Sequence, residues 1–244
     1  MNNYSRKDSI PGYLYALDGL RALSLIFIVV FHTWQQSWIS ANIQLTSTVK
    51  LFDFDIFQRY GYVAIDAFFV LSGFCLFYPI ARDMFGESRF TGWKNFFIKR
   101  ARRIYPSYLV MLLFVLIFPT LSYITYNLND TADILKHLFL HIFFIHTWDS
   151  AALGSMISTA WTMGIEVQFY LLFPLICIPF KKKPILTFIG MVLIGVLTRL
   201  LLVENINVSP MVIQAITPGY FDVFGMGMIS AYFVVYTRNK IKGM

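Results

Sequence analysis

Residues 17–38, LDGLRALSLIFIVVFHTWQQSW, decide the fold. A helix needs about 20 mostly apolar residues to cross the hydrocarbon core of a bilayer, and this stretch is that long. It has no basic leader with a cleavage site, and Asp18, Arg21 and His32 interrupt it, so it reads as a retained span rather than a signal peptide. Five further runs of similar length follow: Tyr62 to Ala81, Ile104 to Tyr123, Trp161 to Phe180, Ile185 to Val203 and Ala215 to Tyr236. Composition agrees with this reading. Of 244 residues, 57% are hydrophobic and 14% charged, where a soluble domain carries roughly 25% charged residues. Apolar content excludes disorder. Two cysteines, Cys75 and Cys177, both inside apolar runs, exclude a disulfide scaffold and read as small buried side chains.

One segment resists a simple reading. Ile134 to Thr147 is apolar but short and carries Lys136, His137, His141 and His146, which suits a re-entrant or interfacial helix better than a span. Charge parity decides between them. With Arg6 and Lys7 on the cytoplasmic side, the second inner segment holds Arg82, Arg89, Lys94, Lys99, Arg100, Arg102 and Arg103, and Asp130 and Asp133 face out. If Ile134 to Thr147 crossed, Lys181, Lys182, Lys183, Arg238, Lys240 and Lys242 would all face outward. If it only dips in, all six become cytoplasmic, as the Lys/Arg bias of inner loops demands. The expected fold is therefore all-α: a polytopic integral membrane helical bundle of about six spans plus one re-entrant segment. Residues 1–244 form one domain, and both termini are cytoplasmic. The net charge of +7 marks the cytoplasmic face and not a nucleic-acid partner.

Ionisable residues at membrane depth are costly and mark polar cavities. Here they are Asp18, Arg21, His32, Asp66, Glu166, Arg199 and Asp222. Asp18, Arg199 and Asp222 lie close enough to span ends to snorkel. Arg21 and His32 are eleven residues apart, hence on one helix face and about 16 Å apart along the axis. That pair suits an elongated anionic ligand lying along the helix; alternatively His32 only bonds a neighbouring helix. The run Lys99-Arg100-Ala101-Arg102-Arg103 before Ile104 either orients the protein on anionic lipid or clamps phosphate with its guanidinium forks. Glu166 can orient and stabilise an imidazole, or simply pair with a base such as Arg199. The histidines at 137, 141 and 146 lack a carboxylate partner at ligand spacing, so no metal site is expected. Ser72 lies outside any nucleophile elbow and reads as a small residue for close helix packing.

Together these stretches resemble membrane-bound acyltransferase family 3. The similarity lies in Leu17-Asp18-Gly19-Leu20-Arg21 through His32, in Gly61 through Phe74 with Asp66 and Ser72, and in Phe96 through Pro106. It continues in Trp161 through Glu166 to Phe169-Tyr170 and Pro174, and more weakly in Phe221-Asp222 with Phe224 and Gly227. Thr162 stands where the family commonly has serine after the tryptophan. The resemblance covers the N-terminal two-thirds of the family's membrane domain, so the chain is expected to be C-terminally short.

The resemblance implies an acyl-CoA-dependent O-acyltransferase in the inner (cytoplasmic) membrane. It moves an acyl, most often acetyl, group to a hydroxyl of a cell-surface or exported carbohydrate, with no bound cofactor. Acyl-CoA is then the donor substrate and a lipid-linked or exported glycan the acceptor. His32 and Glu166 are the expected catalytic residues, and Arg21, Arg100, Arg102 and Arg103 the acyl-CoA-binding ones. Asp18, Asp66, Ser72, Trp161 and Tyr170 support the substrate pocket. His32 as general base and His32 as acyl carrier both remain open. A transporter or channel lined by the same charges, or an inactive truncated remnant, are the alternatives.

Overall fold

The computed structural model describes residues 15–39, 42–44, 50–118, 131–204 and 215–242. Arg6, Lys7, Asp130 and the last residues of the third expected span (119–123) lie outside them. Among the described residues the chain is mostly helical, with turns between the helices and one short antiparallel ribbon. It forms two compact units, residues 1–72 and 73–244.

In the first unit, α1 (Tyr15–Ser37) leads to β1 (Asn42–Gln44) and β2 (Lys50–Asp53), paired with Ile43 opposite Phe52. This ribbon is the single departure from the all-α expectation. A short α2 (Asp55–Arg59) follows, and α3 (Val63–Met84) then begins. Aromatic side chains hold α1 to the residues after the ribbon: the Phe27 and Phe57 rings lie 6.5 Å apart, and the Phe31 ring meets Tyr62 edge-on.

The second unit contains the rest of α3, then α4 (Trp93–Ile117), α5 (Thr131–Ile142), a 3-10 turn at His146–Trp148 and α6 (Trp161–Lys182). After these come α7 (Pro184–Glu204), a second 3-10 turn at Thr217–Tyr220, and α8 (Phe221–Lys242). Its core is aromatic. Phe169 stacks flat on Phe224 with centroids 3.8 Å apart, and Phe173 stacks on Phe96 at 5.5 Å, while Phe77 meets Phe180. Gly73 lets α3 touch the α8 backbone, since a Cβ there would overlap the Phe224 carbonyl; small residues permit such close approach in membrane bundles. Outward faces remain apolar. On α7, Leu201 is 67% exposed, as befits a surface in contact with lipid and not water.

Polar contacts order the helix ends. Lys181 pairs with Asp83 at 3.6 Å; Glu87 accepts hydrogen bonds from Arg82, Arg238 and Asn239. The C-terminal ends of α3, α6 and α8 therefore share one end of the unit. The chain leaves that end along α4 and returns along α6, so the intervening α5 makes no net crossing. At twelve residues α5 is only about 18 Å long, too short to span. These contacts gather Arg82, Lys181 and Arg238, three of the basic residues that the parity argument places on one side.

Among the described residues, five helices are long and apolar enough to cross a membrane: Ala16–Gln35, Val63–Met84, Trp161–Lys182, Pro184–Glu204 and Thr217–Ile241. The protein is a multi-pass membrane protein. The third expected span differs in form. Its helix, α4, starts at Trp93 rather than Ile104, so the basic run lies within helix instead of in a loop before it. Charged residues in the first three turns hid this helical extension from a reading by hydropathy.

Candidate active site

α1 carries the first group of candidate residues. Asp18 lies in its first turn, exposed, and Arg21 is half-buried with its Nε lacking a hydrogen-bond partner among the described residues. His32 is half-buried, its ring 5.2 Å from that of Phe31. His32 Nδ1 faces Gln35 Oε1 at 3.2 Å. A glutamine oxygen only accepts, so the contact suits Nδ1–H as its donor and fixes the orientation of the ring. Ile28, Val29, Thr33 and Ser37 form the open face of α1 around this histidine. Gln35 supplies an orienting contact for His32 that sequence reasoning passed over. Its signal was its place three residues on from His32, on the same helix face. Asp66 is half-buried in the first turn of α3, and Ser72 is buried two turns further along.

α4 and α6 carry the second group. Glu166 and Tyr170 are one helical turn apart on α6, both buried, and the Tyr170 hydroxyl donates a hydrogen bond to Glu166 Oε1. The Arg100 guanidinium lies over the Tyr170 ring at 5.4 Å and over Phe96 at 5.7 Å. Arg103 also lies close enough to act on the Tyr170 hydroxyl electrostatically. Arg102 and Arg103 are exposed and Arg100 half-buried. Spacing placed the basic run at the inner membrane face and Glu166 in the outer half. The longer α4 instead carries Arg100 up to the turn of α6 that holds Glu166. Arg199 turns elsewhere: it forms a two-pronged ion pair with Asp222, 2.5 Å at its closer contact, and donates to the Gly219 carbonyl. Trp161 opens α6, its ring 6.3 Å from that of Tyr220, and packs on Leu153, Ala215 and Ile216.

Between α5 and α6 the chain turns sharply. Phe144 takes a positive φ of 56°, which is strained for a residue with a side chain and closes the C-terminus of α5. Its ring is fully buried against Tyr108, centroids 4.5 Å apart. His141 and His146 stack at 4.1 Å, both without solvent exposure, and Tyr108 Oη lies 3.4 Å from His141 Nδ1. Burial, then the charges of His146 and His137, pushes His141 down to about 3. Burial pushes His146 down to about 4 against the pull of the Ala160 and Leu140 carbonyls. Stacked rings send their lone pairs along near-parallel planes, so the two imidazoles do not converge on one ion. Among the described residues no cluster of three His, Cys, Asp or Glu side chains is placed to hold a metal.

Residues 14–243 match the Acyltransferase domain family, Acyl_transf_3. The chain belongs to the acyltransferase 3 family. It is 30% identical over 193 residues to the Peptidoglycan O-acetyltransferase OatA of Listeria monocytogenes, covering 73% of this chain and 26% of that one. A putative O-acetyltransferase of Staphylococcus aureus is 25% identical over 72% of this chain and 26% of its own. The O-acetyltransferase OatA of the same species is 26% identical over 68% and 25%. The chain thus spans about a quarter of the length of the curated relatives it matches. No solved structure matches it. Within this acyltransferase 3 chain, the stretch from Trp161 to Tyr170 also holds a residue that sequence reasoning passed over. Gln168 is hydrogen-bonded to the Phe144–Trp148 turn and to Thr217.

Proposed function

We propose that the chain acts as a single membrane domain that transfers an acyl group, most simply acetyl, from acyl-CoA to a hydroxyl of a cell-surface or exported carbohydrate. The observation that carries this reading is His32 on the open face of α1, its ring oriented by the Nδ1 contact with Gln35. As general base, this histidine takes the acceptor's hydroxyl proton while the oxygen attacks the thioester carbonyl carbon. The carbon–sulfur bond breaks, and the proton passes to the departing CoA thiolate. The exposed Arg102 and Arg103 bind the CoA phosphates, joined by Arg100. Arg21 on α1, its Nε without a hydrogen-bond partner among the described residues, is a further anion-binding group. Glu166, fixed by Tyr170, is the second group with acid/base capacity.

The acetylated glycan named in the relatives supports a carbohydrate acceptor, either lipid-linked or already exported. The shared end of α3, α6 and α8, rich in Arg82, Lys181 and Arg238, supports its assignment to the cytoplasmic side of the inner membrane, with both termini there. The test is His32→Ala in membranes, with insertion verified and CoA release from acetyl-CoA measured in the presence of peptidoglycan fragments. General-base loss should cost about 10²–10⁴-fold; transfer at the wild-type rate would overturn the reading.

A further inference from the structure

The Gln168 amide is satisfied at every hydrogen-bonding position it has. Its Nε2 donates to the Phe144 carbonyl at 2.6 Å and to Thr147 Oγ1 at 2.9 Å. Its Oε1 accepts from Trp148 Nε1 at 2.8 Å and from Thr217 Oγ1 at 2.6 Å. Two N–H donors and two carbonyl lone pairs are the whole capacity of a primary amide. The partners belong to the α5–α6 turn and to the 3-10 turn before α8, so one side chain on α6 joins both.

The turn it holds is a strained one. Phe144, whose carbonyl Gln168 captures, is the residue with φ 56°, and such outliers persist only where their surroundings over-determine them. On its other side the same turn grips α4: Tyr108 stacks on the Phe144 ring, and Tyr105 donates to the Ile142 carbonyl. Tyr105 and Tyr108 lie one and two turns beyond Arg100 on α4. Gln168 lies between Glu166 and Tyr170 on α6 with its side chain turned to another face. The turn is therefore the piece that fixes how far α4 is slid and rotated against α6.

We infer that Gln168 is a positioning residue. By pinning the Phe144–Trp148 turn, it sets the register that lays Arg100 over Tyr170 beside Glu166. This rests on the acyl-transfer reading of that cluster. Displacements of about 1 Å in such a constellation cost on the order of 10²-fold in rate.

Two variants of the full chain in lipid nanodiscs test it, with hydrogen exchange and acetyl-CoA turnover on peptidoglycan fragments as readouts. Gln168→Met keeps side-chain length and removes all four bonds. Exchange should rise in both 143–149 and 216–220, and turnover should fall about 10–100-fold while KM for acetyl-CoA shifts by less than about threefold. Gln168→Glu keeps an acceptor for Trp148 and Thr217 but faces the Phe144 carbonyl with a second acceptor. Exchange should then rise in 143–149 alone, with turnover reduced in the same way. Unchanged exchange in 143–149 in both variants overturns the inference. So does raised exchange with wild-type turnover while Glu166→Gln and Arg100→Gln are each impaired, and that outcome leaves the acyl-transfer reading standing. Wild-type turnover in Glu166→Gln and Arg100→Gln overturns the reading of the cluster and the inference with it.

Discussion

Tyr170 donates its hydroxyl proton to Glu166 one turn before it on α6, while presenting its ring face to Arg100 of α4. One aromatic side chain thus touches both a carboxylate, through its hydroxyl, and a guanidinium, through its ring. Tyr170→Phe keeps the ring under Arg100 and removes only the donor. Leaving a buried carboxylate short of a hydrogen bond costs about 1–3 kcal/mol. Acetyl transfer should drop by roughly 10-fold or more while the protein still inserts, as checked by turnover and melting temperature together.

Gly164 faces the re-entrant turn. A Cβ there would come within 2.6 Å of Thr147 Cγ2 and 3.2 Å of His146 Cε1, whereas a Cβ at Gly190 would meet nothing within 4 Å. Gly164→Ala should destabilise by about 1–3 kcal/mol through overpacking. Gly190→Ala, in mid-helix, should be neutral or stabilise by up to about 1 kcal/mol. Thermal unfolding of the two variants side by side checks the contrast.

Acid should loosen the turn between α5 and α6. His141 and His146 fold as neutral imidazoles with lowered pKa values, about 3 and about 4, so the unfolded chain binds more protons than the folded one at mildly acid pH. Their stabilising share is complete above the unfolded value of about 6.5 and shrinks as pH falls toward 4, by up to about 1.4 kcal/mol per group per pH unit. Unfolding midpoints from pH 7 to 5 should therefore fall, and His141→Phe combined with His146→Leu should flatten that slope. Asp149 works in the same direction but further into acid: its hydrogen bond from Lys136 holds it below the usual carboxylate range, so its share is lost only at lower pH.

The Arg199–Asp222 pair lies within membrane-spanning helices. Removing one partner leaves an uncompensated charge there, at a cost of about 3–5 kcal/mol. Arg199→Leu and Asp222→Leu should each reduce folded yield, and the double variant should recover most of it. A double-mutant cycle on thermal stability reads the coupling.

Much of the bundle was legible because lipid imposes length and apolarity on every span. The basic residues could be sorted by side for the same reason, and the contacts Asp83–Lys181 and Glu87–Arg238 gather them as that sorting required. α4 was harder to read, since hydropathy sees apolar residues and not helix. Its first turns, Trp93 to Arg103, are helical but charged. Contacts between helices were out of reach, because spacing along one chain says nothing about which neighbour a side chain meets. Arg199 therefore found Asp222, Glu166 found Tyr170, and Gln168, which looked like one more polar residue in a span, emerged as a junction. The histidine stack escaped too. A five-residue step is no helical contact, and it depends on a reversal at Phe144 that phenylalanine does not advertise.

Glu87 couples the end of α3 to residues 151 and 152 positions later, Arg238 and Asn239. At ribosomal rates of 5–20 residues per second, that carboxylate emerges on the order of 10 s before its last partners exist. During that interval Arg82, five residues before it, is already at hand to answer its charge. This end of the bundle therefore latches only when α8 arrives: maturation is a closing event timed by synthesis, and a nascent chain stalled before Arg238 is an unlatched one, exposed to quality control at that end.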